Sequence, residues 1–162
     1  MNTGPDFMRP ARATDHDAID GLLRAAFAGP PEATLVRDLR ASGEIELEMV
    51  MPWPAGLVGY LALSRMVAPA GWLVLAPVAV APAWQGKRLG TRMVTGILRL
   101  MAIKDMTTVV LGRPSFYARA GFSQERAELL TSPSRSETML IARPGMDRPT
   151  EALVFPPTFA GI

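Results

Sequence analysis

The segment from Trp72 to Thr91, WLVLAPVAVAPAWQGKRLGT, joins an apolar run to a glycine turn and restricts the fold more than any other part of the chain. Its first half is aliphatic and rich in valine, the composition of a strand that is covered on both faces of a sheet. Pro77 and Pro82 lack a backbone N–H, so strand pairing must be interrupted near Pro77 and must stop by Pro82. We therefore expect a central strand with a gap beside it.

The turn after this strand contains Gly86 and Gly90 and leads into an amphipathic helix. The start of a helix presents unpaired N–H groups and the positive end of the helix dipole, and both attract anions. Lys87, Arg88 and Arg92 add positive charge at the same place. The spacing is neither that of a Walker loop nor that of the dinucleotide fingerprint. The segment predicts a binding site for a ligand with two or more phosphates.

This segment resembles motif A of the GCN5-related N-acetyltransferase (GNAT) family. The family pattern is Gln or Arg, two residues, Gly, one residue, then Gly or Ala. The corresponding stretch of this chain is LAPVAVAPAWQGKRLGTRMV. Gln85 and Gly90 match the two ends of that pattern, and Arg88 stands at the position of its first glycine.

Two further segments resemble the same family. VVLGRPSFYARAGF is similar to its strand, short helix and Gly-Phe pair, with Tyr117 four residues before Gly121. The closing ALVFPPTF is similar to the end of a bacterial subgroup of predicted acetyltransferases, which usually carries an acidic residue where Arg113 stands. The resemblance covers most of the chain from about Met8 onward.

The resemblance implies an α/β (α+β) fold, the GNAT fold, as a single domain over residues 1–162. Its mixed central sheet should have six to seven strands, be split by a gap at the central strand, and be flanked by about four helices.

The resemblance also implies an acyltransferase that moves the acetyl group of acetyl-CoA, its co-substrate, to a primary amine by direct attack, with no metal. The pantetheine arm would lie along Val78 and Val80, and the Val78 N–H would polarise the thioester carbonyl. Tyr117 would protonate the departing thiolate. The base is not identified, with Glu46, Glu48 or a water chain as candidates. The N–H groups that would hold the pyrophosphate are those of Gln85, Gly86, Lys87, Arg88, Leu89, Gly90 and Thr91.

A second function stays open, that of a catalytically silent acyl-CoA-binding sensor or regulatory module on the same fold. Arg88 and Arg113 depart from the family pattern at the ligand site and favour this alternative, whereas Tyr117 favours the enzyme. The acceptor of the enzyme would be a small-molecule or peptide amine.

Charge is unevenly distributed along the chain. Residues 1–48 carry nine acidic and five basic side chains, whereas in residues 49–124 only Asp105 is acidic against eight lysines and arginines. Positive potential is thus concentrated around the predicted phosphate site. Nucleic-acid binding is disfavoured because no recognised motif and no interleaved exposed aromatic residues accompany the basic ones. A homodimer is left open.

Cysteine is absent, which excludes a disulfide framework, a thiolate metal site and a cysteine nucleophile. No secretory leader is visible at the N-terminus. The longest apolar stretch is broken by prolines and is shorter than the ~20 residues of a membrane span. We expect a soluble, cytoplasmic, bacterial protein without a membrane segment.

Other segments predict the remaining elements. Thr14 is expected to cap the first helix, which should extend to about Phe27, and His16 beside it is expected to be a solvated residue at the helix start. Glu44, Glu46 and Glu48 alternate with apolar residues in one strand and form either a solvated face or an acidic wall that attracts an ammonium substrate. A short helix should begin at Pro114 and end at Gly121. Strands are expected at residues 7–13, 44–51, 57–66, 107–111, from 122, at 127–131, 137–141 and 152–155, with a second helix at 32–42.

Overall fold

A six-stranded mixed sheet forms the centre of the molecule. The computed structural model describes residues 7–54, 56–133 and 138–161. Within these residues the strands follow one another in chain order across the sheet, and β4 and β5 are the single parallel pair. The predicted mixed sheet with four helices is thereby confirmed. The strands are β1 (Arg9–Pro10), β2 (Ile45–Trp53), β3 (Gly56–Arg65), β4 (Leu73–Val80), β5 (Thr108–Leu111) and β6 (Met139–Ala142), and the helices are α1 (His16–Ala26), α2 (Pro31–Ala41), α3 (Leu89–Ile103) and α4 (Pro114–Ala120).

Helices cover both faces of the sheet. On one face α3 buries Met93 and Ile97, one turn apart, against Leu61 of β3 and other core residues. On the other face α1 buries Leu23 against Tyr60, whose side chain has no exposed surface. Complete burial of one such apolar side chain contributes about 1.5–3 kcal/mol, so these two faces hold the helices in place. None of the described helices is both long enough and apolar enough to span a bilayer.

Strand β4 pairs incompletely on both of its edges. Its pairing with β3 has an irregularity between Leu75 and Val78, around Pro77, and the strand ends at Val80. Its pairing with β5 covers only Leu73 and Val74. Beyond that point the two strands diverge. The gap predicted from the two prolines is therefore present.

The start of α1 differs from the prediction. Thr14 lies inside a 3₁₀ turn, Ala13–Asp15, and the helix begins at His16. The Asp15 carboxylate accepts a hydrogen bond from the Arg12 N–H at 2.8 Å and pairs with the Arg9 guanidinium at 2.7 Å. Thr14 was wrongly predicted as the cap because a longer-range ion pair engages its neighbour instead.

The C-terminal part contains fewer strands than predicted. Ser123, Thr131, Ala152 and Val154 form isolated bridges, and a 3₁₀ turn, Glu125–Ala127, overlaps the first residue of the strand expected at 127–131. Apolar residues here are buried in a small core with Trp72 and Ile141 without forming a ladder. The apolar pattern in this region indicates burial and not strand pairing. The strands predicted from 122, at 127–131 and at 152–155 are therefore wrong. The described residues do not include residue 55, between the strands predicted at 44–51 and 57–66, or Glu137, the first residue of the strand predicted at 137–141.

Candidate active site

A cleft of about 1180 Å³ opens where β4 and β5 diverge. Its walls are the end of β4, the turn that precedes α3, the end of β5 and helix α4. The structure brings nearly all of the predicted site residues to this one cleft. Those that line it are Val78, Val80, Gln85, Gly86, Arg88, Leu89, Gly90, Thr91 and Tyr117.

Lys87 is the predicted site residue that does not line the cleft. Its ammonium group lies 5.2 Å from the ring centroid of Trp84, close enough for a cation–π interaction. Trp84 does line the cleft and meets Trp53 edge to face, with the ring centroids 5.4 Å apart. Lys87 therefore supports an aromatic residue of the cleft wall.

The turn before α3 has the backbone conformation that its glycine pattern predicts. Gly86 has a φ of 76°, and Arg88, the residue before the helix, is left-handed with a φ of 64°. A residue with a Cβ pays about 1–2 kcal/mol for that conformation. The Gln85 side chain donates a hydrogen bond to the Val80 carbonyl oxygen at 2.9 Å and so connects the two ends of the turn. Arg88 thus retains the conformation that glycine favours and adds an exposed guanidinium to the cleft.

The first N–H groups of α3 have no acceptor within the helix. They belong to residues that line the cleft, Leu89, Gly90 and Thr91. Gly90 also permits close packing between the two walls, since a Cβ at this position would lie 3.2 Å from Cζ of Phe116 in α4. This contact holds α4 against the start of α3.

Two aromatic rings contact the ring of Tyr117. Its helix begins with Pro114 at the first position and ends at Gly121, whose φ is 125°. The Tyr117 ring meets the rings of Phe116 and Phe122 edge to face, at centroid distances of 4.9 and 5.7 Å. The predicted short helix is present, and it places the phenol in the cleft wall.

The described lining of the cleft is cationic. It includes Arg88, Arg113 and Arg119, all exposed, and contains no aspartate or glutamate. Such a lining attracts phosphates and carboxylates and repels ammonium groups.

The two glutamates named as base candidates lie elsewhere. Glu46 pairs with Arg65 at 2.8 Å, and Glu48 accepts a hydrogen bond from the Tyr60 hydroxyl at 2.7 Å. Both line a second cavity of about 450 Å³, which also includes His16. Burial, together with the charge of Glu48, raises the pKa of Tyr60, so this phenol remains a hydrogen-bond donor.

Glu48 is further engaged by the Arg40 guanidinium at 2.8 Å, and Glu44 accepts hydrogen bonds from the hydroxyls of Ser42 and Thr158. These contacts support the interpretation of the three glutamates as a paired, partly solvated face of the sheet. The alternative interpretation, an acidic wall that attracts an ammonium substrate, finds no support at this cleft, because none of the three glutamates lines it.

Several residues that line the cleft were not predicted as site residues from the sequence. Ala26 and Phe27 come from the C-terminal end of α1, Phe116 from α4, and Thr138 from the segment before β6. The signal for the first two was the Gly29-Pro30-Pro31 break, which stops α1 near the cleft. Nothing in the local sequence indicates the approach of Thr138, which accepts a hydrogen bond from the Gly112 N–H through its carbonyl oxygen at 3.1 Å.

Comparisons with known proteins agree on one family. Residues 48–124 match the family model described as "Acetyltransferase (GNAT) domain". The "Uncharacterized N-acetyltransferase YhbS" of Escherichia coli K12 is 35% identical over 113 residues, which span 67% of this chain and 68% of that protein.

Two solved structures are similar over nearly the whole chain. The E. coli YhbS structure in complex with CoA has a TM-score of 0.83 and 27% identity, and covers 98% of this chain and 96% of its own. A GNAT family acetyltransferase from Brucella melitensis in complex with acetyl-CoA has a TM-score of 0.77 and 26% identity, over 94% of this chain and 97% of its own.

Proposed function

The chain belongs to the GNAT family of acetyltransferases, and from that premise we propose that it transfers the acetyl group of acetyl-CoA to a primary amine by direct attack. The observation that carries the proposal is the joint position of the turn before α3 and Tyr117 on one cleft, beside the gap between β4 and β5. The two relatives with solved structures that contain CoA or acetyl-CoA support the identity of the co-substrate.

The residues of the turn fit a diphosphate. Gly86 and Arg88 have left-handed backbone conformations, and α3 begins directly behind them. The Gln85 N–H donates to the Pro82 carbonyl oxygen at 3.3 Å. In our proposal the N–H groups from Gly86 to Thr91 hold the pyrophosphate, and the Arg88 guanidinium adds charge-assisted hydrogen bonds. The described lining supports this assignment, because it is cationic and contains no acidic side chain that would repel the phosphates of CoA.

The gap provides a groove for the pantetheine arm. Beyond Val74 the edge of β4 that faces β5 pairs with no other described strand, which leaves backbone polar groups near Val78 and Val80 available to a ligand. We assign the Val78 N–H to the carbonyl oxygen of the thioester, where it would stabilise the negative charge that develops during attack.

The chemistry then requires one proton at the sulfur and the removal of one from the amine. The amine nitrogen forms a bond with the acetyl carbon, the carbon–sulfur bond breaks, and the Tyr117 hydroxyl gives its proton to the thiolate. Since the described cleft lining holds no carboxylate, water takes the proton that the amine loses.

The test is the substitution Tyr117→Phe. We expect it to lower kcat by about 100-fold, the usual contribution of a positioned general acid, and to leave the Kd for CoA unchanged. The measurements are thiol release from acetyl-CoA with a panel of primary amines and calorimetric titration with CoA.

The chain's other tyrosine offers a matched control. Tyr60→Phe removes the same hydroxyl at a site outside the cleft, where it donates to Glu48. We expect this variant to be less stable by about 1–3 kcal/mol, because Glu48 loses a buried donor, and to retain kcat. A Tyr117→Phe variant with the turnover of the wild type would show that Tyr117 is structural, and a wild-type chain that binds no CoA would end the proposal.

A further inference from the structure

Arg113 lies in the cleft wall. It is exposed, lines the cleft, and forms no side-chain hydrogen bond or ion pair with any residue that the structure describes. Some arginines of the chain are paired, as Arg40 is with Glu48 and Arg126 with Asp147. An unpaired guanidinium on a cavity wall is a preformed receptor for a planar anion such as a carboxylate.

Arg113 stands on the Tyr117 side of the cleft. It is the residue directly before α4, and the Tyr117 N–H donates to its carbonyl oxygen at 3.2 Å, so the two residues are one helical turn apart. Both residues line the cleft. Arg88, by contrast, belongs to the turn before α3. The two guanidiniums therefore belong to different walls of the cleft. Arg113 belongs to the same wall as Tyr117, the proposed proton donor.

The absence of acidic groups from the described lining restricts the acceptor. Arg88 is assigned to the pyrophosphate, so a polyamine or another purely cationic amine would meet Arg113 and Arg119 with no carboxylate in the described lining. An amine that carries its own carboxylate avoids this repulsion and gains a partner in Arg113.

We propose that Arg113 binds the carboxylate of the acceptor, and that the acceptor is a small amino acid or an amino-acid-like amine. This inference rests on the proposed acetyl transfer and adds the substrate class to it. Arg113 orients the acceptor so that its amine faces the thioester carbon, beside Tyr117.

The experiment compares acids with their amides. Alanine, phenylalanine and glutamate are each paired with the corresponding α-amide, and kcat/KM is measured at saturating acetyl-CoA. We expect the wild-type enzyme to prefer the acid of at least one pair by about tenfold or more, the value of a hydrogen-bonded charge pair. Arg113→Gln should abolish that preference through KM for the acid, and Arg113→Lys should retain part of it.

A second measurement does not depend on turnover. Calorimetric titration of the CoA-loaded protein with the N-acetyl amino acids and the N-acetyl amino amides should show tighter binding of the acids, and Arg113→Gln should remove the difference. Arg99→Gln is the matched control, since Arg99 is exposed on α3 and does not line the cleft. It loses the same charge and should keep the preference.

Four results would overturn the inference. They are equal use of acids and amides by the wild type, an acid preference that survives in Arg113→Gln, absence of binding for every acid, and an Arg113→Gln variant whose main defect is weaker CoA binding. A preference for succinyl-CoA over acetyl-CoA that disappears in Arg113→Gln would assign the carboxylate to the acyl group and overturn it as well. All of these leave acetyl transfer intact, whereas a chain that binds no CoA refutes the transfer itself.

Discussion

Gly112 determines how closely the Tyr117 ring can approach the end of β5. A Cβ placed on Gly112 would lie 2.5 Å from Cε2 of Tyr117, well inside van der Waals contact. The ring is also held by Phe116 and Phe122, so it cannot retreat without disturbing them. The orientation of the phenol therefore depends on a residue that has no side chain of its own.

Gly112→Ala should consequently displace the phenol while the turn before α3 is unchanged. We expect kcat to fall, by up to about 100-fold for a displacement near 1 Å, with an unchanged Kd for CoA. Gly96→Ala is the control, because its Cβ would lie 3.4 Å from Cε of Met8, an ordinary contact, in a helix that Tyr117 does not belong to. Equal kcat values for the two variants would contradict the positioning role of Gly112.

Among the elements, β1 and the start of α1 are connected by an ion pair. Two contacts join the Arg9 guanidinium to the Asp15 carboxylate, at 2.7 and 3.0 Å, and the Arg12 N–H donates to the same carboxylate. The Arg9 hydrogen bond, with a smaller contribution from Arg12, lowers the pKa of Asp15 to about 2. The short edge strand is thus linked electrostatically to the first helix.

This link should weaken in acid. The pKa of Asp15 is lower in the folded protein than in the unfolded chain, so its contribution to stability is complete above a pH of about 4 and is lost as the pH falls toward 2. We expect Asp15→Asn to lower the free energy of unfolding at pH 7 and to differ less from the wild type at pH 2.5, as measured by urea denaturation. Asp17→Asn, an exposed change at the second residue of α1, should show no such convergence.

For the whole molecule, the folded state and the ligand site are coupled because the cleft exists only where β4, β5, α3 and α4 meet. A ligand that binds only the folded protein stabilises it by mass action. Stability in the presence of CoA is therefore a second measure of the proposed phosphate site, independent of turnover.

CoA at 100 times its Kd should raise the free energy of unfolding by about 2.7 kcal/mol. Arg88→Glu places a negative charge beside the proposed pyrophosphate, so at the same CoA concentration the increase should be largely lost. Arg99→Glu makes the same charge change outside the cleft and should retain it. The stabilisation of each variant by CoA is measured by thermal unfolding with and without CoA. Equal increases in Tm for the two variants would count against the phosphate assignment.

The sequence alone determined the parts of the site that depend on short-range physics. Pro77 and Pro82 lack donors, so the gap and the end of β4 followed from chemistry within a few residues. Gly86 and the amphipathic pattern after it specified the turn and α3, and Pro114 with Gly121 bounded the helix of Tyr117.

Only the tertiary structure decided which side chains share the cleft. Glu48 lies opposite Ala62 in the hairpin of β2 and β3 and is engaged by Arg40 and Tyr60, which are 8 and 12 positions away, beyond the reach of helix or strand periodicity. Arg113 and Phe27 are more than 80 positions apart in the sequence and line one cavity. The physical reason is that strand pairing and helix packing join distant segments, whereas periodicity and turn chemistry act only between near neighbours.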